Sequence, residues 1–346
     1  MSDIHGHAEL LINELKNKGF CSGDAGHMLV CCGDCFDRGD ENRRVYDYLN
    51  SVPNKVIVCG NHEELLLKAL DRGKLKISDI ANGTDKTLED FFGEDSIDGN
   101  GNIYVSDSSR APIDDFLSRT ADYYETENYI FVHGWIPVGS IKREDWRRTN
   151  ATEWRVSRWL GWRDNIGSFR PMDKTIVCGH YPARDACVYD RSRSAEDYSP
   201  YYGKGFIAID GNTVRSRVVN VLVIDDEPLP HKTHQMKLRR EFFDLVACGS
   251  KTVEMRLFDE KRREIISGDR IIFVADDGSG DTVGAEVLGV YRYRSFEGLT
   301  EDFDSGSLGF EGCSAGEISE FMSSVYDREK IEMYGAVAIR VCVGNE

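Results

Sequence analysis

Runs of apolar residues recur along the first half of the chain, and polar residues and glycine follow or nearly follow each run. The runs are four or five residues long and apolar nearly throughout, as expected for strands buried on both faces. They span 28–32, 56–59, 129–132 and 175–178. Helical spacing of apolar residues predicts helices over 8–18, 43–50 and 63–70. Alternating strands and helices indicate an α/β sheet, whose strand ends meet at one edge and form a site there.

The pattern changes after a proline-punctuated acidic segment at 225–230, which reads as a linker. Strand-like runs at 206–210 and 218–224 precede it. Beyond it we predict helices over 238–248 and 315–326 and strands over 252–257, 270–275, 283–293 and 336–343. The predicted organisation is therefore a domain at 1–226, a linker at 227–234 and a second domain at 235–346.

Composition limits the classes of function. The chain has 346 residues, 40% hydrophobic and 10% aromatic, which suits a folded protein with room for two domains. Its net charge of -17 argues against broad attraction to nucleic acid or an anionic membrane, although basic clusters at 237–240 and 261–263 leave a local basic face open. With no export signal and no long apolar stretch, we expect a cytoplasmic protein that does not associate with membranes.

The ten cysteines are expected to be reduced, because several lie inside strand-like apolar runs where a free thiol acts as a small hydrophobe. Cys32-Gly-Asp-Cys35 matches C-x-x-C, which leaves a redox or zinc interpretation open. Asp34 inside this segment also belongs to a motif with a different chemistry.

Five polar motifs hold most of the useful histidines and a matched set of carboxylates. They are Asp3-Ile-His5-Gly6, Gly33-Asp34-Cys35-Phe36-Asp37-Arg38-Gly39, Gly60-Asn61-His62-Glu63, His133-Gly134 and Gly179-His180. A pair of metal ions needs one carboxylate that touches both, and Asp34 is the predicted bridge. Asp3 and His5 lie two residues apart, face the same side of a strand end and are predicted to bind the first ion. The ligands predicted for the second ion are Asn61, His133 and His180.

The same motifs supply candidate catalytic groups. His62 follows the ligand Asn61 and points elsewhere, so we expect it to protonate the leaving alkoxide, with Asp37 as its orienting carboxylate. Arg38 offers a planar fork for phosphate oxygens, and Asn61 is a second predicted substrate contact. Each short motif alone is better explained by ordinary structure, but five in order at strand intervals are not.

Taken together, the motifs resemble those of the calcineurin-like metallophosphoesterases, in the branch of Ser/Thr protein phosphatases and bis(5'-nucleosyl)-tetraphosphatases. The resemblance covers about residues 1–225. It implies an α/β fold, a four-layer α/β/β/α sandwich around two divalent ions, with manganese expected and iron or zinc as alternatives. The implied substrate is a phosphoprotein-like phosphomonoester or a nucleotide phosphoanhydride.

Two weaker matches concern substrate contacts. Asn82-Gly83-Thr84 with Thr87 is similar to a loop of bacterial members, and Leu160-Gly-Trp-Arg163 is similar to their Trp-Arg segment. The resemblance therefore implies that Asn82 and Arg163 contact substrate. The alternative is that Arg163 pairs with a carboxylate while the neighbouring tryptophans pack.

There are departures from the family pattern. Only Met1 and Ser2 precede Asp3, where the family has a strand. Either translation starts upstream of Met1 or that strand is missing. Trp135 and Tyr181 stand where many members have glycine and threonine. Neither change removes a predicted ligand, but both are expected to alter substrate shape.

The segments 249–256, 266–273 and 334–339 resemble the ASCH domain, a small PUA-like β-barrel associated with RNA. Glu254 and Arg256 share one strand face near Lys251. The three residues are predicted to bind a ligand, for which RNA is the candidate. Related amidohydrolases carry threonine where this chain has Glu254, which argues against catalysis here. A structural ion pair between Glu254 and Arg256 is the alternative.

These observations predict a metal-dependent phosphoesterase with an appended RNA-associated domain. The alternative is an RNA-binding or RNA-end-processing protein in which the phosphatase half is secondary.

Overall fold

The computed structural model describes residues 1–137, 146–147, 149–167 and 172–344. Contacts divide the chain into two compact units, one formed by 1–136 and 157–229 and the other by 137–156 and 230–346. The division at 229/230 lies inside the predicted linker. The described part of 137–156, which the sequence placed in the first domain, belongs to the second unit.

The described part of the first unit contains two sheets. β1 (Leu29–Cys31) and β2 (Lys55–Ile57) pair in parallel. The other sheet contains β3 (Tyr123–Glu125), β4 (Tyr129–Val132), β5 (Thr175–Cys178), β6 (Tyr201–Gly203) and β7 (Phe206–Ala208). Its order is β3-β4-β5-β7-β6, with β4, β5 and β7 parallel and both edge strands antiparallel to their neighbours.

Helices follow the strands of this unit. They are α1 (Ala8–Asn17), α2 (Asn42–Ser51), α3 (Asn61–Arg72), α4 (Ile77–Asn82), α5 (Thr84–Phe92), α6 (Asp107–Ser118), α7 (Ala151–Arg158), α8 (Trp162–Asn165) and α9 (Thr213–Ser216). Short 3-10 turns lie at Glu94–Ser96 and Ala183–Val188. The residues of α7 divide between the units after 156. The three helices predicted from spacing are confirmed as α1, α2 and α3.

Alternate residues of β1 serve different layers of the first unit. Cys31 of β1 packs with helix residues in one core, whereas its neighbour Val30 packs in a second core with Val177 and Ile207 from the other sheet. On the far face of that sheet, Phe206 stacks on Trp162 of α8. The predicted four-layer α/β/β/α sandwich is confirmed.

The second unit is built on one curled sheet. Its strands are β8 (Thr233–Leu238), β9 (Val253–Leu257), β10 (Arg270–Ala275), β11 (Thr282–Tyr293) and β12 (Ala336–Val343). Its helices are α10 (Arg240–Ala247), α11 (Phe296–Thr300), α12 (Ala315–Val325) and α13 (Arg328–Tyr334), with a 3-10 turn at Arg262–Glu264. The order is β8-β10-β11-β12-β9, so within the described residues the sheet is a half-barrel with β8 and β9 at its edges.

Two sequence predictions of strands need correction. β8 begins in the predicted linker. Its mixed sequence at 233–238 shows no strand pattern, and it is extended because it pairs with β10. The segment 218–224 forms no strand. Its apolar residues instead pack into the cores without a ladder, as Val219 and Leu222 do. Among the described helices, none combines the length and apolar character needed to cross a bilayer.

Candidate functional site

Residues of three of the five motifs lie in loops with unusual backbone geometry. A left-handed φ costs a side-chain-bearing residue about 1–3 kcal/mol, and such residues cluster at functional sites. Six of these positions adopt it: Asp3 (φ 53°), His5 (46°), Asp34 (55°), Asp37 (71°), Arg38 (69°) and His180 (66°). The loops therefore accept a conformational cost that aims their side chains at a common site.

Backbone hydrogen bonds hold the first motif against the second. Asp3 N–H donates to the Gly33 carbonyl (3.0 Å), and His5 N–H donates to the Asp34 carbonyl (3.0 Å). The amide that follows β1 donates to the carbonyl of Met1 (2.8 Å). The two residues before Asp3 thus run beside β1 without forming a regular strand. This ladder places Asp3 and His5 beside Asp34.

Glu63 joins the second and third motifs. Its buried carboxylate accepts from the backbone N–H groups of Asp34 (2.8 Å), Cys35 (2.7 Å) and Gly60 (2.8 Å). These bonds satisfy amides that have left the strand ladder, and they hold Asp34 close to Asn61. Sequence reasoning assigned Glu63 no role. The available signal was its place as third residue of α3, where a capping-box glutamate reaches back to the helix start.

One cluster of potential metal ligands contains His5, Asp34 and His62. Asp34 Oδ2 lies 3.8 Å from His5 Nε2 and 3.9 Å from His62 Nε2. His5 Nδ1 lies 3.0 Å from the Phe36 carbonyl, which can only accept, so Nδ1 holds the proton and Nε2 presents its lone pair. His5 and Asp34 are therefore arranged to face the same cation.

Asp3 lies outside this cluster but close to it. Its Oδ2 accepts from His180 N–H (3.1 Å) and from the Ser2 hydroxyl. Burial, together with the charges of Asp210 and Asp34, raises the pKa of Asp3 well above its usual range. Buried carboxylates that repel one another are a place where a cation is stabilised.

A second cluster contains Asp34, His133 and His180. Asn61 lies among them, with its Oδ1 2.8 Å from His133 Nε2 and 2.9 Å from His180 Nδ1. Asp34 Oδ1 is 3.4 Å from His133 Nε2. Asp34 thus belongs to both clusters, one oxygen facing each, and the other three residues are those predicted for the second ion.

The remaining nitrogens of these two rings are bound to backbone carbonyls. His133 Nδ1 lies 2.7 Å from the Cys32 carbonyl, and His180 Nε2 lies 3.1 Å from the Trp159 carbonyl. Asn61 Oδ1, which also only accepts, faces the inner nitrogens, so a cation held between them would leave the protons on the outer nitrogens and turn both lone pairs inward. Burial lowers the pKa of His180 to about 4, which keeps that ring neutral.

The charge of Asp34 also favours the binding of metal ions. Burial alone would raise the pKa of Asp34, but the neighbouring His133, His62 and His5 outweigh it and lower the pKa, so the carboxylate is ionised. Ionised oxygens and imidazole lone pairs converge from both sides of Asp34. Carboxylate, amide oxygen and imidazole suit manganese, iron and zinc ions. The residues present fit two divalent cations that share Asp34.

His62 differs from the other histidines in its hydrogen bonds. Its Nδ1 is bound to a carboxylate, Asp37 Oδ2, at 2.7 Å. Asp37 is itself held by the hydroxyls of Thr84 (3.0 Å) and Thr87 (2.6 Å). Burial would lower the pKa of His62, but the Asp34 charge and the Asp37 hydrogen bond outweigh it and raise the pKa. A carboxylate-bound imidazole with a raised pKa takes up a proton more readily and is suited to act as an acid.

Arg38 is exposed and reaches into the first cluster. Its guanidinium lies 3.0 Å from His5 Nε2 and 2.9 Å from His62 Nε2. The predicted phosphate fork, the predicted acid and the first-ion ligand are thus brought together.

A family model for calcineurin-like phosphoesterases matches residues 1–209. The chain belongs to the calcineurin-like phosphoesterase family. Membership implies a hydrolase that acts on phosphate esters with the help of divalent metal ions, in agreement with the two ligand clusters. No curated protein matches the chain.

Two predicted substrate contacts of this calcineurin-like phosphoesterase have other partners in the structure. Asn82 Nδ2 donates to the Ser78 carbonyl (2.8 Å) within α4. Arg163 pairs with Asp185 (2.7 Å) and lies over the ring of Tyr181, 4.9 Å from its centroid. For Arg163 this is the carboxylate pairing considered as the alternative from the sequence.

Asp210 is a buried acidic residue that sequence reasoning left without a role. Burial first, with the charge of Asp34 adding to it, raises the pKa of Asp210 to about 7. The signal was present, because Asp210 follows the strand-like run that becomes β7, as other carboxylates of the site follow strands. It enlarges the set of buried acids around Asp3.

In the second unit, Lys251, Glu254 and Arg256 form a buried ion cluster. Glu254 lies 3.4 Å from Lys251 Nζ and 2.9 Å from an Arg256 terminal nitrogen. Lys251 also donates to the carbonyls of Val253 and Leu308 (2.7 Å each), and only 3% of this residue is exposed. The predicted three residues are brought together, and two cations against one carboxylate leave a net positive charge.

These three residues line a cleft of about 210 Å³. Its other lining side chains are mainly aromatic, basic or apolar, and include Lys237, Arg239, Phe242, Phe310, Phe321 and Tyr326. Arg256 also donates to the Lys237 carbonyl (2.8 Å), which links the two edge strands β9 and β8. Arg256 therefore has a structural role in addition to any ligand contact.

An ASCH-domain model matches residues 236–343, within this unit. The chain is similar to a Pyrococcus furiosus protein solved by NMR (30% identity, 33% of this chain and 99% of that chain, TM-score 0.26). It is also similar to a cold-active protein-tyrosine phosphatase of a Shewanella species (17%, 63% and 72%, TM-score 0.40). A third similar structure is an ASCH protein of Zymomonas mobilis (17%, 32% and 68%, TM-score 0.24).

Proposed function

We propose that this phosphoesterase uses two divalent metal ions, bridged by Asp34, to hydrolyse a phosphomonoester or a nucleotide phosphoanhydride with water. The observation that supports it is the membership of Asp34 in both ligand clusters. Asp3 and His5 would complete the first half of the centre. The residues Asn61, His133 and His180 would complete the second half, with manganese as the expected ion.

When bound, such a pair of ions activates a water molecule and stabilises the charge of the transferred phosphoryl group. Arg38, exposed at the first cluster, binds phosphate oxygens through its planar fork. His62 donates its proton to the leaving oxygen, while Asp37 holds the ring in position through Nδ1. Arg38 and His62 thus act on the phosphoryl group and on the leaving oxygen. These atoms are common to several phosphorylated substrates.

Product formation with added Mn²⁺ tests the proposal. Inorganic phosphate is measured for a phosphoserine peptide and for an RNA with a terminal phosphate, and mononucleotides are measured for diadenosine tetraphosphate. We expect turnover of at least one, and Asp34→Asn, which removes the shared charge, should abolish it while the chain stays folded. If the metal-loaded protein hydrolyses none of them, the proposed activity is wrong.

A second candidate function is RNA recognition by the ASCH unit. The supporting observation is the cleft that combines the buried net charge of Lys251, Glu254 and Arg256 with three phenylalanine rings. Unstacked bases bind to such aromatic and cationic surfaces. This function predicts RNA retention at low salt that survives Asp34→Asn and is lost with Lys251→Ala. Because Arg256 links two strands, Arg256→Lys is a better probe of it than removal.

The two functions combine if the substrate is an RNA end. In that case the terminal-phosphate RNA is hydrolysed faster than the phosphopeptide, and Lys251→Ala raises KM for the RNA alone. If Lys251→Ala leaves KM for RNA unchanged, this combined function is wrong.

A further inference from the structure

Arg158 is buried between two carboxylates of the phosphoesterase unit. One terminal nitrogen is 2.9 Å from Glu64 Oε2 and the other is 2.8 Å from Asp122 Oδ1. Its side chain is 9% exposed, so it differs from Arg38, which reaches the site from the surface. A planar guanidinium bound on both arms holds its two partners in one geometry.

The partners of Arg158 belong to the framework of the metal centre. Glu64 lies in α3, three residues after Asn61 and next to the Glu63 clamp. Asp122 lies just before β3. Arg158 itself is the last residue of α7 and belongs to the turn formed by residues 157–160. Its ion pairs therefore tie this turn to the helix that carries Asn61.

The 157–160 turn contacts His180 directly and packs on the residue that follows His133. The Trp159 carbonyl accepts the Nε2 proton of His180 at 3.1 Å. Gly134, which follows His133, packs so closely on the turn that a Cβ there would lie 2.0 Å from the Leu160 carbonyl oxygen. The position of the turn thus controls the surroundings of both rings.

We infer that Arg158 is a positioning residue for the second half of the metal centre. By fixing the turn on α3, it keeps the Trp159 carbonyl on Nε2 of His180. There the carbonyl favours the proton on Nε2, in competition with Asn61 Oδ1, which lies 2.9 Å from Nδ1. A hydrogen-bond partner that sets the tautomer of a histidine ligand controls metal affinity from outside the coordination sphere. Without Arg158, the turn is free to move away from His180, and the ring shifts toward the Nδ1-protonated tautomer.

This inference rests on the proposed metal-dependent function, but the His180 tautomer can be measured without metal. Histidine-labelled full-length protein, free of metal, is studied by long-range ¹⁵N–¹H NMR, with the signal assigned by its loss in His180→Gln. Wild type should hold a measurable share of the Nε2-protonated form. Arg158→Gln should populate the Nδ1-protonated form, and Arg158→Lys, which keeps the charge but not the planar fork, should lie between them.

Calorimetric titration with Mn²⁺ supplies the second readout. Arg158→Gln should weaken the second site by about tenfold or more, as loss of outer partners of ligands typically does, and leave the first site unchanged. The matched control is Lys174→Met, which breaks the ion pair of Lys174 with buried Glu125 (2.7 Å) in the same unit. It should lower Tm without affecting the His180 tautomer or Mn²⁺ binding.

The outcomes are distinct. If Arg158→Gln lowers Tm as Lys174→Met does but leaves the share of the Nε2-protonated form and the second site unchanged, Arg158 is only structural and the inference is wrong. If Arg158→Gln does not fold, the same two measurements on Arg158→Lys decide. If wild type binds no second ion, the proposed dinuclear function fails, while the tautomer change still decides the role of Arg158.

Discussion

Replacing Asp37 with asparagine removes the charge that orients His62 and nearly preserves the shape of the side chain. The Asp37 carboxylate is buried, and its Oδ2 lies 2.7 Å from His62 Nδ1. In the proposed mechanism His62 protonates the leaving group, so Asp37→Asn should slow this step without removing a metal ligand.

The size of the effect follows from the kind of hydrogen bond. A bond to a charged group contributes about 1.5–3 kcal/mol. If the transition state loses all of it, the rate falls by about 10- to 150-fold. Thr84→Val is the matched control, because the Thr84 hydroxyl donates to the same Asp37 oxygen at 3.0 Å but carries no charge. Its loss leaves the charge of Asp37 and the bond to His62 in place, so the decrease should be smaller than that of Asp37→Asn.

The assay compares two leaving groups. A phosphoserine peptide releases an alkoxide that needs a proton, whereas p-nitrophenyl phosphate releases a stable phenolate that does not. Asp37→Asn should therefore show the full decrease in kcat with the peptide and little decrease with the aryl ester, at unchanged metal content. Equal losses on both substrates, or loss of a metal ion, would refute the role of His62 as acid. His62 would then act as a ligand with His5 and Asp34.

Three further predictions concern stability and metal. Glu63→Gln keeps one acceptor oxygen but places an NH₂ group against a backbone N–H. The free energy of unfolding, measured by urea titration, should therefore fall by about 2 kcal/mol. An unchanged value would contradict the role of Glu63 as a clamp. Gly39→Ala should lower Tm strongly, because its Cβ would lie 2.2 Å from the His5 carbonyl oxygen, whereas Gly23→Ala, with nothing within 4 Å, should not. Chelation should lower Tm reversibly, by the equivalent of about 2.7 kcal/mol for an ion present at 100 times its Kd; no change would argue against bound metal.

The positions of most strands and helices could be predicted because local pattern and long-range pairing agree there. The runs at 129–132 and 175–178 became β4 and β5 with the same bounds. The pattern failed where pairing alone decides. β8 has a mixed composition and is ordered by its parallel neighbour β10, whereas 218–224 is apolar but finds no ladder.

The candidate site shows the same division. Strand ends bring ligands together, so the shared position of Asp34 was predictable from the order of the motifs. The bonds from Asp34 and Cys35 to Glu63 and the anchoring of Asp37 by Thr84 and Thr87 were not, since these partners lie 28 or more residues apart in the chain and carry no periodic signal. The partner of Arg163 was left open by the sequence for the same reason.

The sequence by itself determined the chemical identity of the ligands, the order of the strands' polar ends and the family resemblance. Only the tertiary structure decided which acceptors the ring nitrogens face. The carbonyls that bind His133 and His180 belong to Cys32 and Trp159, which are 101 and 21 residues away along the chain. A tautomer depends on the nearest acceptor in space, and no local pattern of side chains specifies where a distant carbonyl will point.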